Sequence, residues 1–311
     1  MEQIKVAFSF DENYSLHGLI AALSLLDSSL RSEECVVYDL FFVSEYEIPL
    51  GLREKFLSYL GKYSNFHSAK FISSVPDESR RYESKHLTRA TYLRLELPEL
   101  IDEDLVIYSD VDVLYLSGLK DLWGVEVGGC YIAASLDIGL NQKKKFDRKH
   151  SKLSYWDKYF RERRGSYFQA GVLLMNLAEI RGSDVQEKWK ELLQEKFEQH
   201  DMDILNIACY PKIRKVGSRF NVIPRYVKNG GYEKGVDEGF IDATERQDVY
   251  ERPVLLHYAG PDKPWKIPSV PGGREYWSFL NKFPLLREEM RTKFPWSWRD
   301  RVKNYFSMSI F

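Results

Sequence analysis

A short apolar run that ends in two carboxylates constrains the fold of this chain more than any other feature. Residues 105–108 read Leu-Val-Ile-Tyr, and Asp110 and Asp112 follow with one residue between them. Such a run is typical of a buried strand in an α/β sheet, and these sheets bind ligands beyond the carboxyl ends of their strands. Two carboxylates that converge there repel each other unless a cation such as Mg²⁺ or Mn²⁺ bridges them to phosphate oxygens. The pattern predicts either a metal–diphosphate site or, because Asp also favours turns, an exposed turn.

Predicted strands and helices alternate along the first part of the chain, which favours an α/β fold. Strands are expected at residues 4–10, 36–43, 71–72 and before Asp110, and helices at 16–30, 52–63 and 87–95. Strands that alternate with helices predict a largely parallel sheet with helices on both faces. Further along, strands are expected at 131–135, 171–176 and 254–258, and helices at 185–200 and 203–209.

No repeat or linker divides the chain, so we expect one unit over residues 1–270 and a C-terminal appendage over 271–311. A polar insertion at 140–166 is rich in Lys and Arg and is expected to act as a lid, an acceptor-binding segment or a solvated helix face. The appendage interleaves basic residues with Trp, Tyr and Phe, as do segments that contact anionic membranes. The alternative for the appendage is a helix that docks its aromatic side chains on the core.

Composition excludes several classes of protein. The 311 residues are 44% hydrophobic, which allows a substantial core, and the net charge of −1 argues against a general nucleic-acid binder. Three cysteines without metal-type spacing suggest a reducing compartment. Neither a signal peptide nor an apolar run long enough for a membrane helix is visible. We therefore expect a cytoplasmic protein, with peripheral membrane contact through the appendage.

Two other segments carry residues suited to binding a nucleotide. The first predicted strand leads into Asp11-Glu12-Asn13-Tyr14, where polar groups and an aromatic ring suit a base such as uracil. The alternative is a simple helix cap, since Asp and Asn are favoured at helix starts. The second segment runs from His257 to Trp265: the imidazole suits a metal, while Gly260 and Lys263 suit a phosphate. A lone histidine on an apolar strand is more often structural.

Six short motifs in order resemble those of the family 8 retaining glycosyltransferases, in particular bacterial lipopolysaccharide and lipooligosaccharide galactosyl- and glucosyltransferases. They are Asp11-x-Asn13-Tyr14, Arg94 within residues 90–95, Asp110-x-Asp112, residues 171–176, Asp201-x-Asp203-Ile204-Leu205-Asn206, and His257-x-x-Gly260-x-x-Lys263-Pro264-Trp265. The resemblance spans about residues 4–266.

The resemblance implies a GT-A fold, a UDP-linked sugar donor and Mn²⁺, with Mg²⁺ as the other candidate ion. Asp110, Asp112 and His257 match the metal ligands, and Ser9, Asp11, Asn13 and Tyr14 match the uridine pocket. Val111 lies between the metal-binding aspartates, Gly260 and Lys263 match the diphosphate clamp, and Arg94 and Asp201 match residues that hold the donor sugar. The metal and Lys263 would stabilise the departing diphosphate while the sugar passes through an oxocarbenium-like state.

Two residues depart from the pattern of these relatives. Gln169 stands where they usually carry Asn, and Met202 where many carry Gln. A thioether cannot replace a carboxamide as nucleophile or front-face stabiliser, so no covalent sugar adduct is expected on Met202. Either the leaving phosphate assists attack from the same face, which we favour, or Asp201 forms an adduct. The catalytic candidates are therefore Asp201, Gln169 and Arg94.

The sequence leaves two other functions open. Asp110 after a strand also resembles the nucleophile of haloacid-dehalogenase-type phosphatases, although that function leaves residues 257–263 unexplained. A peripheral membrane or carbohydrate-binding module that has lost turnover is the other alternative, and Met202 gives it some support. The favoured prediction is a Mn²⁺-dependent retaining transferase that moves a hexose from UDP-galactose or UDP-glucose to a saccharide or glycolipid acceptor.

Overall fold

A seven-stranded sheet forms the centre of the part of the chain that the computed structural model describes, residues 1–74, 89–142, 144, 146 and 154–296. In chain order the strands are β1 (Glu2–Phe10), β2 (Val36–Ser44), β3 (Phe66–Ser73), β4 (Leu105–Ser109), β5 (Val113–Tyr115), β6 (Ile132–Leu136), β7 (Phe168–Asn176), β8 (Ile213–Val216) and β9 (Leu255–His257). The sheet order is β3-β2-β1-β4-β7-β6-β8. Among the described strands of this seven-stranded sheet, only β7 runs antiparallel to its neighbours, so the predicted largely parallel, mixed sheet is confirmed.

Helices cover the sheet and connect its strands. They are α1 (Ser15–Arg31), α2 (Leu50–Leu60), α3 (Leu97–Leu100), α4 (Lys120–Trp123), α5 (Ile138–Asn141), α6 (Ser154–Phe160), α7 (Leu177–Arg181), α8 (Val185–Leu192), α9 (Asp201–Ala208), α10 (Pro224–Lys228), α11 (Gly231–Asp237), α12 (Ala243–Glu251), α13 (Gly273–Leu280) and α14 (Pro284–Lys293). Short 3₁₀ helices occur at Glu12–Tyr14, Arg89–Leu95 and Ser218–Asn221. The long helix α1 is buried along most of its length, because it packs against the sheet on one side and β5 on the other.

Three predicted elements differ from those observed. The third strand is longer than residues 71–72, because β3 pairs with β2 along its length despite its polar, half-exposed sequence. Of the helix predicted for residues 87–95, residues 89–95 form a 3₁₀ helix, and residues 87–88 lie outside the described residues. The helix predicted for 185–200 ends at Leu192. Beyond Leu192, side chains accept hydrogen bonds from two backbone N–H groups of the predicted helix. That of Glu198 donates to Tyr155 and that of Gln199 donates to Asp203.

A small second sheet brings the C-terminal part of the chain to the end of β4. Strands β5 and β9 pair antiparallel, with Val113 opposite His257. The backbone N–H of Tyr258 donates to the carbonyl of Asp112 at 2.9 Å, and that of Asp110 donates to the carbonyl of Gly171 at 2.8 Å. These bonds fix the two aspartates and the histidine at one edge of the central sheet.

The first part of the C-terminal appendage packs on the rest of the molecule. The indole N–H of Trp296 donates to the carbonyl of Trp265 at 3.1 Å, and that of Trp277 donates to the carbonyl of Pro264 at 2.8 Å. The docked-helix interpretation therefore holds up to Trp296. Residues 297–311 and residues 143, 145 and 147–153 of the basic insertion lie outside the described residues. Among the described helices, none combines the length and the apolar character that a membrane span requires.

Candidate active site

Three side chains from separate strand ends form a cluster suited to a divalent cation. Asp110, Asp112 and His257 each offer one ligand atom, and these atoms all lie within 4.8 Å of one another. The Nε2 atom of His257 is 3.3 Å from Asp112 Oδ1 and 3.7 Å from Asp110 Oδ2. Two carboxylates and one imidazole suit Mn²⁺ better than a soft ion. The residues predicted as metal ligands thus lie together, and their donor atoms fit the implied ion.

Gly171 makes room for this cluster. A Cβ atom at this position would lie 2.2 Å from His257 Cε1 and 3.0 Å from Asp110 Oδ2. Any side chain here would therefore displace the imidazole. The sequence placed Gly171 in a motif but gave it no role, because this contact joins residues that are far apart in the chain.

Asn221 orients the imidazole and was not identified from the sequence. Its Oδ1 lies 2.8 Å from His257 Nδ1, and both side chains are buried. When the amide oxygen of Asn221 accepts a hydrogen bond from Nδ1–H of His257, the proton-free Nε2 atom directs its lone pair at the two aspartates. Asn221 ends a 3₁₀ helix beside β9 and lies 36 residues from His257, so no local pattern marks it.

Replacing Asn221 with alanine is expected to weaken Mn²⁺ binding by about 10- to 100-fold, the usual effect of removing such a supporting hydrogen bond. Calorimetric titration of the purified protein with Mn²⁺ would measure the change. The exposed Asn229 in the same region offers a matched Asn→Ala control. Equal Mn²⁺ affinity in the two variants would show that the hydrogen bond does not support the cluster.

A buried arginine connects the cluster to the candidate sugar-binding carboxylate. Arg94 contacts Asp110 Oδ1 through Nη2 at 2.7 Å and Asp201 Oδ2 through Nε at 3.0 Å. Burial raises the pKa of Asp201 to about 7, although Arg94 acts in the opposite direction. Tyr108 also donates to Asp110 Oδ1 and hydrogen-bonds to Ser9 Oγ, at 2.7 and 2.8 Å. The hydroxyl of Tyr108 therefore connects Ser9 to Asp110.

Lys263 pairs with Asp112 on the other side of the cluster. Its ammonium donates to Asp112 Oδ2 and to the carbonyl of Tyr258. Burial alone would raise the pKa of Asp112, but Lys263 and His257 together hold it far below its usual range. Gly260 has φ +93°, a left-handed conformation that favours glycine. Of the two residues predicted to clamp a diphosphate, Lys263 thus lies against the cluster, and Gly260 lies in the loop between His257 and Lys263.

The loop predicted to bind the nucleotide base caps its own short helix. The backbone N–H of Tyr14 donates to Asp11 Oδ1 at 3.0 Å, so the capping interpretation is confirmed for Asp11. The ring of Tyr14 is half-buried and lies 6.0 Å from that of Trp265, centroid to centroid. Asn13 is exposed, and its carbonyl accepts a hydrogen bond from Lys293 at 2.7 Å. Base binding by Asn13 and Tyr14 would thus use a loop that two distant segments support.

His17 is a buried titratable residue beneath this loop that the sequence did not reveal. Its ring lies 3.9 Å from the Trp265 ring and 5.0 Å from the Tyr14 ring, between centroids. Burial lowers the pKa of His17 to about 3, and the nearby ammonium of Lys293 acts in the same direction. The folded protein therefore keeps this imidazole neutral in mildly acidic solution.

Replacing His17 with phenylalanine is expected to make folding stability less sensitive to acid. In the unfolded chain the imidazole takes up a proton below about pH 6.5, whereas in the folded chain it stays neutral down to about pH 3, so stability is lost as pH falls through this window. The wild type should lose about 2 kcal/mol more than the variant between pH 7 and pH 5. Urea denaturation at pH 7 and at pH 5 measures this difference in stability loss. A packing cost of the substitution that is the same at both pH values cancels in the comparison. An equal loss of stability between pH 7 and pH 5 in the wild type and the variant would contradict the assignment.

The remaining candidates differ in their surroundings. Gln169 donates to Asp137 Oδ2 at 3.4 Å and accepts from the backbone N–H of Gly171 at 3.1 Å, so it is oriented beside the cluster. Val111 is buried and its side chain packs in the core. Only its backbone would therefore be able to contact a UDP-sugar donor. Met202 is half-buried and packs against apolar neighbours.

Comparison with known proteins agrees with this arrangement. A family model described as "Glycosyl transferase family 8" matches residues 5–267. A putative glycosyltransferase of Haemophilus influenzae is 24% identical over 272 residues, which cover 85% of this chain and 73% of that protein. The lipopolysaccharide 1,2-glucosyltransferase of Escherichia coli is 24% identical over 275 residues, covering 85% and 74% of the two chains. A structure of the galactosyltransferase LgtC with donor and acceptor sugar analogues has a TM-score of 0.72 at 24% identity and covers 94% of this chain and 100% of that chain.

The structural likeness confirms the predicted GT-A fold. The family match extends over most of the chain, from β1 to the segment that follows β9. The chain therefore belongs to glycosyl transferase family 8 and is a glycosyltransferase.

Proposed function

We propose that this protein is a retaining hexosyltransferase that moves galactose or glucose from its UDP-linked donor to a saccharide acceptor. The cluster of Asp110, Asp112 and His257, connected by ion pairs to Arg94 and Lys263, is the observation that carries the proposal. It supplies ligands for a cation and positive charge for a diphosphate in one place. An acceptor in lipopolysaccharide or another surface glycan is supported by the names of relatives from Escherichia coli and Salmonella typhimurium.

The cluster would hold Mn²⁺, which when bound supplies positive charge to neutralise the diphosphate leaving group. Lys263 is already fixed beside the cluster by Asp112 and the carbonyl of Tyr258. We propose that it binds a phosphate oxygen of the donor and retains that contact as negative charge develops. Gly260, without a side chain, lets the backbone approach the same group.

Arg94 and Asp201 are proposed to hold the donor sugar. The Asp201 side chain is only 5% exposed and pairs with Arg94, so its carboxylate is poorly placed to attack the sugar carbon. Met202 lies among apolar side chains and has no nucleophilic oxygen. We therefore propose that the leaving phosphate, rather than either of these side chains, assists the acceptor from the same face of the sugar.

The alternatives suggested by the sequence are not favoured. A phosphatase that used Asp110 as its nucleophile would leave His257 and Lys263, which both contact Asp112, without a role. A module that has lost turnover is not favoured, because Asp110, Asp112 and His257 are all present and lie together, and the chain belongs to a family of glycosyltransferases. Peripheral membrane contact through residues 271–311 and a lid or acceptor role for residues 140–166 remain proposals from the sequence.

The proposal is tested by measuring UDP release from a panel of UDP-sugars, with Mn²⁺ and with a chelator. Slow Mn²⁺-dependent hydrolysis of one hexose donor without acceptor is the expected result, and it would identify the sugar. Metal-dependent UDP binding without release would support the donor class and point to a requirement for acceptor. Absence of UDP binding would overturn the proposed donor.

A further inference from the structure

We propose that Arg225 binds an anionic group of a substrate, a phosphate or a carboxylate, beside Gly260. This inference deepens the proposed function and rests on it. A Cβ atom at Gly260 would lie only 2.8 Å from Nη1 of Arg225, so the guanidinium lies directly against the glycine of the proposed diphosphate clamp. Neither the sequence motifs nor the metal cluster includes Arg225.

The backbone around Arg225 is fixed relative to the cluster. The backbone N–H of His257 donates to the carbonyl of Val222 at 2.7 Å, and that of Val222 donates to the carbonyl of Leu255 at 3.3 Å. Asn221, one residue earlier, is the partner of the His257 imidazole. A segment only a few residues long therefore orients the metal-binding histidine and also carries Arg225.

The side chain of Arg225 is also held in place. Its guanidinium lies 5.2 Å from the centre of the Tyr226 ring. Tyr226 is buried against α5, where a Cβ at Gly139 would lie 1.9 Å from the Tyr226 hydroxyl. A guanidinium supported in this way loses less conformational freedom when it binds an anion.

Arg225 differs from the other cations of the site in its ion pairing. Arg94 pairs with Asp110 and Asp201, and Lys263 pairs with Asp112. Within residues 1–74, 89–142 and 154–296, no carboxylate lies within ion-pair distance of Arg225, which is exposed. Its charge is therefore available to an incoming anion, and the planar guanidinium suits the paired oxygens of phosphates and carboxylates.

The anion comes from one of two sources, the diphosphate of the donor or an acidic group on the acceptor. Arg225→Gln removes the charge and Arg225→Lys keeps it, and Arg214→Gln on β8 is the matched control at an exposed arginine. For each protein we would measure UDP affinity in Mn²⁺, donor hydrolysis without acceptor, and inhibition of hydrolysis by a methyl hexoside and by its 6-phosphate. Thermal unfolding checks that each variant is folded.

A loss of UDP affinity of about 10- to 100-fold in the Gln variant, partly restored in the Lys variant, would assign Arg225 to the diphosphate. Unchanged UDP affinity with loss of the preference for the 6-phosphate over the neutral hexoside would assign it to the acceptor. Wild-type values for every measurement in the Gln variant would overturn the proposal while leaving the proposed function intact. Failure of the wild type to bind UDP would overturn both.

Discussion

Replacing Asp112 with asparagine is expected to reduce Mn²⁺-dependent donor turnover by roughly 10³-fold or more. The change removes a carboxylate that lies 3.3 Å from His257 Nε2 and also pairs with Lys263. An amide is a weaker ligand for a hard cation, and the variant also loses the negative charge that holds Lys263 in place. UDP release and calorimetric binding of UDP at fixed Mn²⁺ would measure the two effects.

Asp121→Asn is the control for this substitution, because Asp121 is an exposed aspartate that pairs with an arginine away from the cluster. It should behave as the wild type in both assays. Turnover retained within a few-fold in the Asp112 variant, with Mn²⁺ still required, would refute the assignment of Asp112 as a metal ligand. Loss of turnover with unchanged thermal stability would exclude simple unfolding as the cause.

Replacing Arg94 with methionine is expected to lower the free energy of unfolding by about 3–5 kcal/mol. The guanidinium is 5% exposed and pairs with both Asp110 and Asp201, so its removal takes away the cation that these two side chains share. Methionine fills much of the same volume, which leaves charge as the main difference. Urea denaturation at pH 7 would measure the change.

Arg31→Met is the matched control, because Arg31 forms an exposed pair with Asp27 on the surface of α1. Surface pairs of this kind contribute about 0.5 kcal/mol or less. A cost for the Arg94 variant no greater than that of the control would mean that the cluster tolerates the unpaired carboxylates. Restoration of stability by added Mn²⁺ would instead show that a cation replaces the missing charge.

The strand ends of the site could be predicted because their signals are local. An apolar run followed by Asp110 and Asp112 specifies a buried strand and a polar terminus within ten residues, and the strand before His257 has the same character. The family resemblance supplied what local patterns could not, namely that these two strand ends belong to one site. The largely parallel sheet followed from the alternation of strands and helices.

The supporting residues could not be predicted, because their roles arise only where distant segments meet. Asn221 matters through a hydrogen bond across 36 positions, and Gly171 through a contact with His257. The early end of α8 has the same origin. Tyr155 accepts the backbone hydrogen bond of Glu198 from 43 positions away, whereas Asp203, which accepts that of Gln199, lies only four positions along the chain.

The packing of the C-terminal appendage has a consequence for the order in which the enzyme is completed during synthesis. The loop at residues 11–14 is synthesised before Lys293, which lies 280 positions later and donates a hydrogen bond to the carbonyl of Asn13. The indole of Trp296 likewise joins the segment that follows His257. A prematurely terminated translation product that ends at residue 270 would therefore contain Asp110, Asp112 and His257 but lack the contacts of Lys293 and Trp296.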